Sequence, residues 1–217
     1  MRRYLIHIDI YSGSGLIHGG ALLMDGGRIA GVHTEMRREV AASSDEVLDM
    51  RGHTAVPGYI DCHVHGGDGH DVNDCTAASI RGTRDFHRSH GVTTIFPSWL
   101  ALSTEDIEKG LEALRTVRKE NAPGKAFVAG AHLEGPFLNP LYNGSQPVDR
   151  IVPIDDDNVA IFERNRDVIA RTTIAPEYGR NLEYYFNSKS TTNGLWSEGC
   201  QKFESFCGSR RSEEHTS

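Results

Sequence analysis

Two imidazoles and a carboxylate carry the chemistry legible in this chain. His63 and His65 lie in Asp61-Cys62-His63-Val64-His65-Gly66-Gly67, and Glu134 lies in His132-Leu133-Glu134-Gly135-Pro136-Phe137. Both stretches follow apolar runs that read as strands. Side chains two apart on a strand share a face, so His63 and His65 aim at one point. By the same parity Glu134 shares a face with Val128, Gly130 and His132, at the C-terminal end of its strand. Imidazole nitrogens with a carboxylate oxygen suit a borderline divalent cation such as Zn²⁺. Such a cation lowers the pKa of a bound water and polarises a carbonyl, the two halves of a hydrolytic reaction. Plainer alternatives stand beside this one: His63 and His65 as hydrogen-bonded core histidines, and Glu134 as a carboxylate that closes a loop. Gly66, Gly67 and Gly69 form a loop without bulky side chains, able either to admit a substrate or simply to turn the chain. Asp68, Asp71 and Asp74 read as loop and helix-start carboxylates, and His132 and Glu177 as structural residues.

The elements that must position these residues are of two kinds. Residues 1–54 are β-like. Leu5–Ile10, Gly20–Met24 and Arg28–Val32 are short apolar runs, and Asp25-Gly26-Gly27 signals a hairpin between the last two. From Ala55 onward strands and helices alternate. Ala55–His65, Val92–Phe96, Ala126–Leu133 and Ile169–Ala175 read as four strands. Between them, Thr76–Ser89 reads as a helix that ends at Gly91. Ser103 caps a second helix, with Ile107, Leu111, Leu114 and Val117 on one face. Asn158–Arg164 is a short third one. Apolar strands alternating with helices predict a parallel sheet covered by helices. After Glu177 no sustained period remains. The last seven residues, Arg211-Ser212-Glu213-Glu214-His215-Thr216-Ser217, match in one frame the translation of a common sequencing adapter. Residues 178–217 are therefore expected to be an irregular tail, partly non-native.

Composition narrows the function classes. The chain has 217 residues, 38% apolar and 24% charged, with a formal net charge of -7. No lysine-arginine cluster offers a nucleic-acid or acidic-membrane surface. The N-terminal apolar run ends at Asp9, too short for a signal-peptide core, and nothing approaches the ~20 apolar residues of a membrane span. Cys62, Cys75, Cys200 and Cys207 form no C-x-x-C pair. Cys62 reads as a free buried thiol, and the expected setting is a reduced cytoplasm.

These residues carry a family resemblance over roughly residues 1–177. Val56-Pro57-Gly58-Tyr59-Ile60-Asp61-Cys62-His63-Val64-His65-Gly66 resembles the first barrel strand of the amidohydrolase superfamily, and Gly91–Ser98 its second. Ala131-His132-Leu133-Glu134-Gly135-Pro136-Phe137-Leu138-Asn139-Pro140 is much more specific and resembles the N-acetylglucosamine-6-phosphate deacetylase family. Thr173–Glu177 fits that family's fourth strand. The resemblance implies an incomplete (β/α)₈ TIM barrel, its first four βα units over residues 55–177, preceded by part of a small β-sandwich over residues 1–54. It implies that Glu134 binds the catalytic divalent metal (Zn, Fe or similar) and that His63 and His65 hold a second ion in those members that keep the pair. It places Gln146, in Gly144-Ser145-Gln146-Pro147, where family members contact the sugar; Gly66 and Gly67, read as a loop open to a substrate, would lie beside it.

The implied reaction is removal of acetate from N-acetylglucosamine 6-phosphate, leaving glucosamine 6-phosphate. The implied partner is that small amino-sugar phosphate, in a family commonly homodimeric. The family takes two further metal histidines from strands five and six, its acid-base aspartate from strand eight, and most phosphate contacts from beyond Glu177. No catalytic acid-base residue is therefore expected in this chain, which alone should be inactive. Its open half-barrel should leave the first and fourth strands unpaired and the apolar face of Ala126-Phe127-Val128-Ala129 exposed. Two rivals remain: a cyclic-amide hydrolase of the dihydroorotase type, and a non-catalytic sugar-phosphate or metal-binding module.

Overall fold

A computed structural model describes residues 1–181 and 183. It divides into two compact units, Met1–Gly58 and a second that begins at Tyr59. Apart from residues 178–181 and 183, the tail expected to be irregular lies outside the described residues.

The first unit is one mixed sheet with a single helical turn. Its strands are β1 (Arg2–Ser12), β2 (Gly15–Asp25), β3 (Arg28–His33), β4 (Glu46–Asp49) and β5 (Thr54–Ala55), with helix α1 at Arg38–Ala42. The order is β3-β2-β1-β4, and β5 pairs with β1 farther along. The β2–β3 turn is the expected hairpin. Gly26 and Gly27 both take positive φ (55° and 79°), the mirror-image turn that matches strand twist and that glycine adopts freely. At His7, with φ 56°, β1 carries a bulge. The extra residue switches which face the side chains occupy. Tyr4 therefore packs with Ala21 and Leu23 on one face, whereas Ile8 and Ile10 pack with Leu22 on the other.

The second unit is a parallel sheet with helices between its strands. In chain order it runs β6 (Tyr59–Val64), a small hairpin of β7 (Gly66–Gly67) and β8 (His70–Asp71), and α2 (Ala77–Ser89). Then follow β9 (Val92–Trp99), α3 (Thr104–Arg118), β10 (Phe127–Val128), β11 (Ala131–Leu133), α4 (Asp156–Arg164) and β12 (Ile169–Thr172). β6 pairs with β9, β9 with β10 and β11, and β11 with β12, all parallel. Thr76 Oγ1 caps α2 by accepting from Ser79 N–H, Ser103 caps α3 through Asp106 N–H, and Asp155 with Asn158 forms a capping box on α4. Ile107, Leu111, Leu114 and Val117 of α3 are buried, in one core with Ile80, Ile95, Trp99 and Val128. Among the described residues no helix is long and apolar enough to cross a membrane.

Four local expectations are corrected. The first strand of this sheet begins at Tyr59, because Ala55 pairs with Ile10 in the first unit and Pro57 has no N–H to give a ladder. His65 lies one residue past the end of β6. The third strand is two pieces. From Val128 to Leu133 it advances five residues, whereas their partners Ile95 and Trp99 are four apart. The extra residue sits at Ala129–Gly130, where Ala129 N–H reaches Ile95 O (3.0 Å) and Ala131 N–H turns to Val168 O (2.7 Å). A Cβ at Gly130 would stand 2.7 Å from Ala170 Cβ, so only glycine fits there. Val128 consequently faces the helices and His132 the opposite side, against a parity count that assumed an unbroken strand. Ala126 and Val128 are likewise fully buried rather than exposed; Phe127, between them, is half exposed. Finally, Cys62 is free but exposed, as is Ile60 two residues before it.

Candidate metal centre

The ends of β6, β9 and β11 bring the site together, and Ser98 of the middle strand ties them. Ser98 is fully buried. Its hydroxyl donates to Phe96 O (3.0 Å) and accepts from Val64 N–H (3.1 Å). A hydroxyl has one hydrogen, so the 2.9 Å contact between Ser98 Oγ and His132 Nδ1 makes that nitrogen the donor. His132 Nε2 then accepts from the Thr173 hydroxyl (2.9 Å). His132 thus has both ring nitrogens occupied and is a structural histidine. Ser98 also acts through its carbonyl, which lies 3.0 Å from His65 Nδ1. A carbonyl only accepts, so His65 carries a hydrogen on Nδ1, and the neutral ring has its lone pair on Nε2. A backbone carbonyl that holds the far ring nitrogen is a common way to orient a metal-binding histidine.

Three donor atoms converge beside it. His63 Nε2 is 2.9 Å from His65 Nε2. Glu134 Oε2 is 3.3 Å from His63 Nε2 and 3.0 Å from His65 Nε2. Donors bound about 2.1 Å from a tetrahedral ion stand roughly 3.4 Å apart, so the set fits one small divalent cation with little adjustment. Among the described residues this is the one cluster of three or more such groups that could hold a metal ion. The elements hold each group: Glu134 N–H donates to Trp99 O (2.8 Å), and His63 N–H to Asp61 Oδ1 (3.1 Å). Contact with His65 keeps the Glu134 carboxyl below the usual carboxylate range, and the same contact lifts the His65 imidazole; burial opposes both shifts. Burial, with the charge of nearby His63, pushes His132 down to about 4, so it stays neutral at ordinary pH.

The remaining residues singled out in the sequence lie close by in roles of their own. Gly66 and Gly67 pair with His70 and Asp71 in the small hairpin, and the space beside each is filled from within the chain. A Cβ on Gly66 would run into the His70 carbonyl oxygen, and one on Gly67 into the Phe86 ring. Packing accounts for their small size. Gln146 is buried, its amide joined to Ala101 N–H and to the Glu134 carboxylate. Asp71 caps the turn at Val72–Asp74, and Glu177 accepts from Asn139. Ser98 went unrecognised in the sequence; the available signal was a lone small polar residue inside the apolar run Ile95-Phe96-Pro97-Ser98-Trp99.

No protein-family model matches the chain. Among curated proteins it is 29% identical over 187 residues to N-acetylglucosamine-6-phosphate deacetylase of Bacillus subtilis, spanning 81% of this chain and 45% of that protein. It is 31% identical over 179 residues to the enzyme of the same name from Bos taurus, spanning 77% of this chain and 43% of the relative. Among solved structures it resembles a variant of N-acetyl-D-glucosamine-6-phosphate deacetylase from Mycobacterium smegmatis in complex with N-acetyl-D-glucosamine 6-phosphate. The TM-score is 0.74 at 25% identity, over 92% of this chain and 49% of that one. The chain thus spans less than half the length of the curated relatives it matches. Over the residues it spans, in sequence and in fold, the chain belongs to the N-acetylglucosamine-6-phosphate deacetylase family.

Proposed function

We propose that the protein of which this chain forms part removes acetate from N-acetylglucosamine 6-phosphate. The observation that carries this reading is the convergence of His63, His65 and Glu134, with donor atoms within 4.8 Å of one another. They stand at the C-terminal ends of parallel strands, where barrel enzymes place their chemistry. We read the sheet as the first four strands of a (β/α)₈ barrel, supported by its parallel pairing in chain order, and the first unit as part of a small sandwich. The expected setting is the cytoplasm, where sugar phosphates are made and used.

The residues divide the work. A divalent cation such as Zn²⁺ or Fe²⁺, when bound, supplies an acidified water and polarises the amide carbonyl. Glu134, held anionic by its contacts, offers the charged oxygen. His65 offers Nε2 because Ser98 O retains the hydrogen on Nδ1, and His63 offers the second nitrogen. Whether one or two ions bind depends on ligands that the family draws from further strands, and the proton-transfer aspartate comes from there as well. We therefore expect no turnover from these residues alone, since general acid-base catalysis contributes ~10²–10⁴-fold.

The test measures acetate released from N-acetylglucosamine 6-phosphate by the full-length gene product, before and after chelation. Glu134→Gln should lose most metal and nearly all turnover, because a neutral amide is a poorer ligand. Full activity in that variant would exclude Glu134 as a ligand.

A further inference from the structure

We propose that Gln146 is a positioning residue for Glu134, holding the carboxylate oxygen that faces His63 and His65, rather than a group that reads the substrate. This rests on Glu134 being a metal ligand. Gln146 is 7% exposed and clamped at both ends of its amide. Its Oε1 accepts from Ala101 N–H at 2.7 Å. A backbone N–H can only donate, so the carbonyl end must face Ala101 and the NH₂ end must face Glu134. There Nε2 donates to Glu134 Oε2 at 3.1 Å. That oxygen is the one within reach of both imidazoles.

The amide is itself held. Gln146 N–H donates to Asn143 O (3.0 Å), and Asn143 Nδ2 donates back to Gln146 O (2.7 Å). Ala101 follows β9 and Glu134 follows β11, so the side chain spans the ends of adjacent strands. Ala101 is fully buried, and Gly135 lies close enough that a Cβ there would stand 3.0 Å from the Ala101 Cβ. The choice of an amide is chemically apt. A lysine or arginine in its place would neutralise the carboxylate that a cation needs; an amide restrains rotation about the last bond of Glu134 while leaving its charge intact. Outer partners of this kind typically change metal affinity 10–100-fold when removed.

The experiment titrates the purified full-length gene product, stripped of metal, with Zn²⁺ against a chromophoric chelator. It compares the unsubstituted chain, Gln146→Met, Glu134→Ala and the double variant, with thermal unfolding as a check on folding. Methionine keeps the length and volume of the side chain and removes its polar ends. We expect Gln146→Met to weaken Zn²⁺ binding about 10–100-fold and to add nothing once Glu134 is alanine. Affinity within twofold of the unsubstituted chain, while Glu134→Ala abolishes binding, overturns the positioning role and leaves the metal centre standing. Equal losses from Gln146→Met in both backgrounds also overturn it, as the mark of a purely structural residue. Zn²⁺ binding that ignores Glu134→Ala, or none by the unsubstituted full-length protein, overturns the metal reading and this inference with it. If Gln146→Met does not fold, Gln146→Glu replaces it. That variant keeps an acceptor for Ala101 N–H and sets a second carboxylate against Glu134. Weaker Zn²⁺ binding is expected; unchanged or tighter binding, as added negative charge alone would produce, overturns the proposal.

Discussion

Ser98→Ala tests the hydrogen-bond centre that joins three strands. The substitution removes one oxygen and leaves almost no cavity, so its effect reports hydrogen bonding rather than packing. Two donors lose their acceptor: Val64 N–H at 3.1 Å and His132 Nδ1 at 2.9 Å. Ser98, Val64 and His132 are all buried, so water cannot replace the lost partner. An orphaned buried donor costs about 1–3 kcal/mol, so the pair should cost about 2–6 kcal/mol. Against typical total stabilities of about 5–15 kcal/mol this is a large fraction. Urea denaturation followed by far-ultraviolet circular dichroism should show a lower midpoint at an unchanged slope. Thr173→Val, which removes only the hydroxyl at His132 Nε2, should cost about 1 kcal/mol. Both variants act through His132, so their effects should fail to add. Zn²⁺ affinity should move far less than stability, because His65 is oriented by the Ser98 carbonyl, which alanine retains. A loss below about 1 kcal/mol for Ser98→Ala would refute the assignment, showing that Val64 and His132 find other acceptors.

Other perturbations separate packing, protonation and metal binding. Replacing His63 and His65 together with asparagine should lower bound Zn²⁺, read by elemental analysis of the dialysed protein; an unchanged metal count would return the pair to a structural role. His132 titrates at about 4 in the folded chain against an ordinary 6.5. As pH falls below 6.5 the unfolded chain therefore takes up a proton that the native one refuses, and metal-free stability should decline by up to about 3 kcal/mol between 6.5 and 4, then level off. Urea midpoints measured across that window check it, and an equal slope in His132→Gln would assign the decline to other groups. Gly66→Ala should destabilise more than Gly67→Ala, since the first meets a backbone carbonyl and the second a side chain that can turn; thermal melting of both decides the order.

What could be read in the sequence depended on whether partners were near in the chain. Helix α3 was legible almost residue by residue, because Ser103 supplies the cap and Ile107, Leu111, Leu114 and Val117 recur at helical spacing. The His63–His65 pair was legible for the same reason: residues two apart at a strand's end constrain each other's direction. The hydrogen bonds of Gln146, a residue singled out for the sugar, were not, since its amide meets a backbone N–H 45 residues earlier with no side-chain signature. Ser98 acts through a hydroxyl and a carbonyl at once, and only the folded sheet assembles their partners. The break in the third strand had a single local hint, Gly130 inside an apolar run, and glycine in a strand has several meanings. Ala55 was misplaced because it pairs with Ile10, far back in the chain and within the first unit, rather than continuing the strand after it.

The extra residue at Ala129–Gly130 sets how this segment can drift over generations. Before it, β10 presents Val128 to the helices; after it, β11 presents His132, and Glu134 beyond, to the site. Substitutions in the two halves are therefore filtered by separate demands, apolar volume in one and ligand geometry in the other, and neither half compromises the other. Length is under a stricter rule than composition. Removing one residue between Val128 and Ala131 would keep every functional side chain in the chain, yet it would rotate Glu134 toward the helices and His132 out of reach of Ser98. Lineages of this sequence should exchange Val128 only for apolar residues of similar size and accept few deletions beside it.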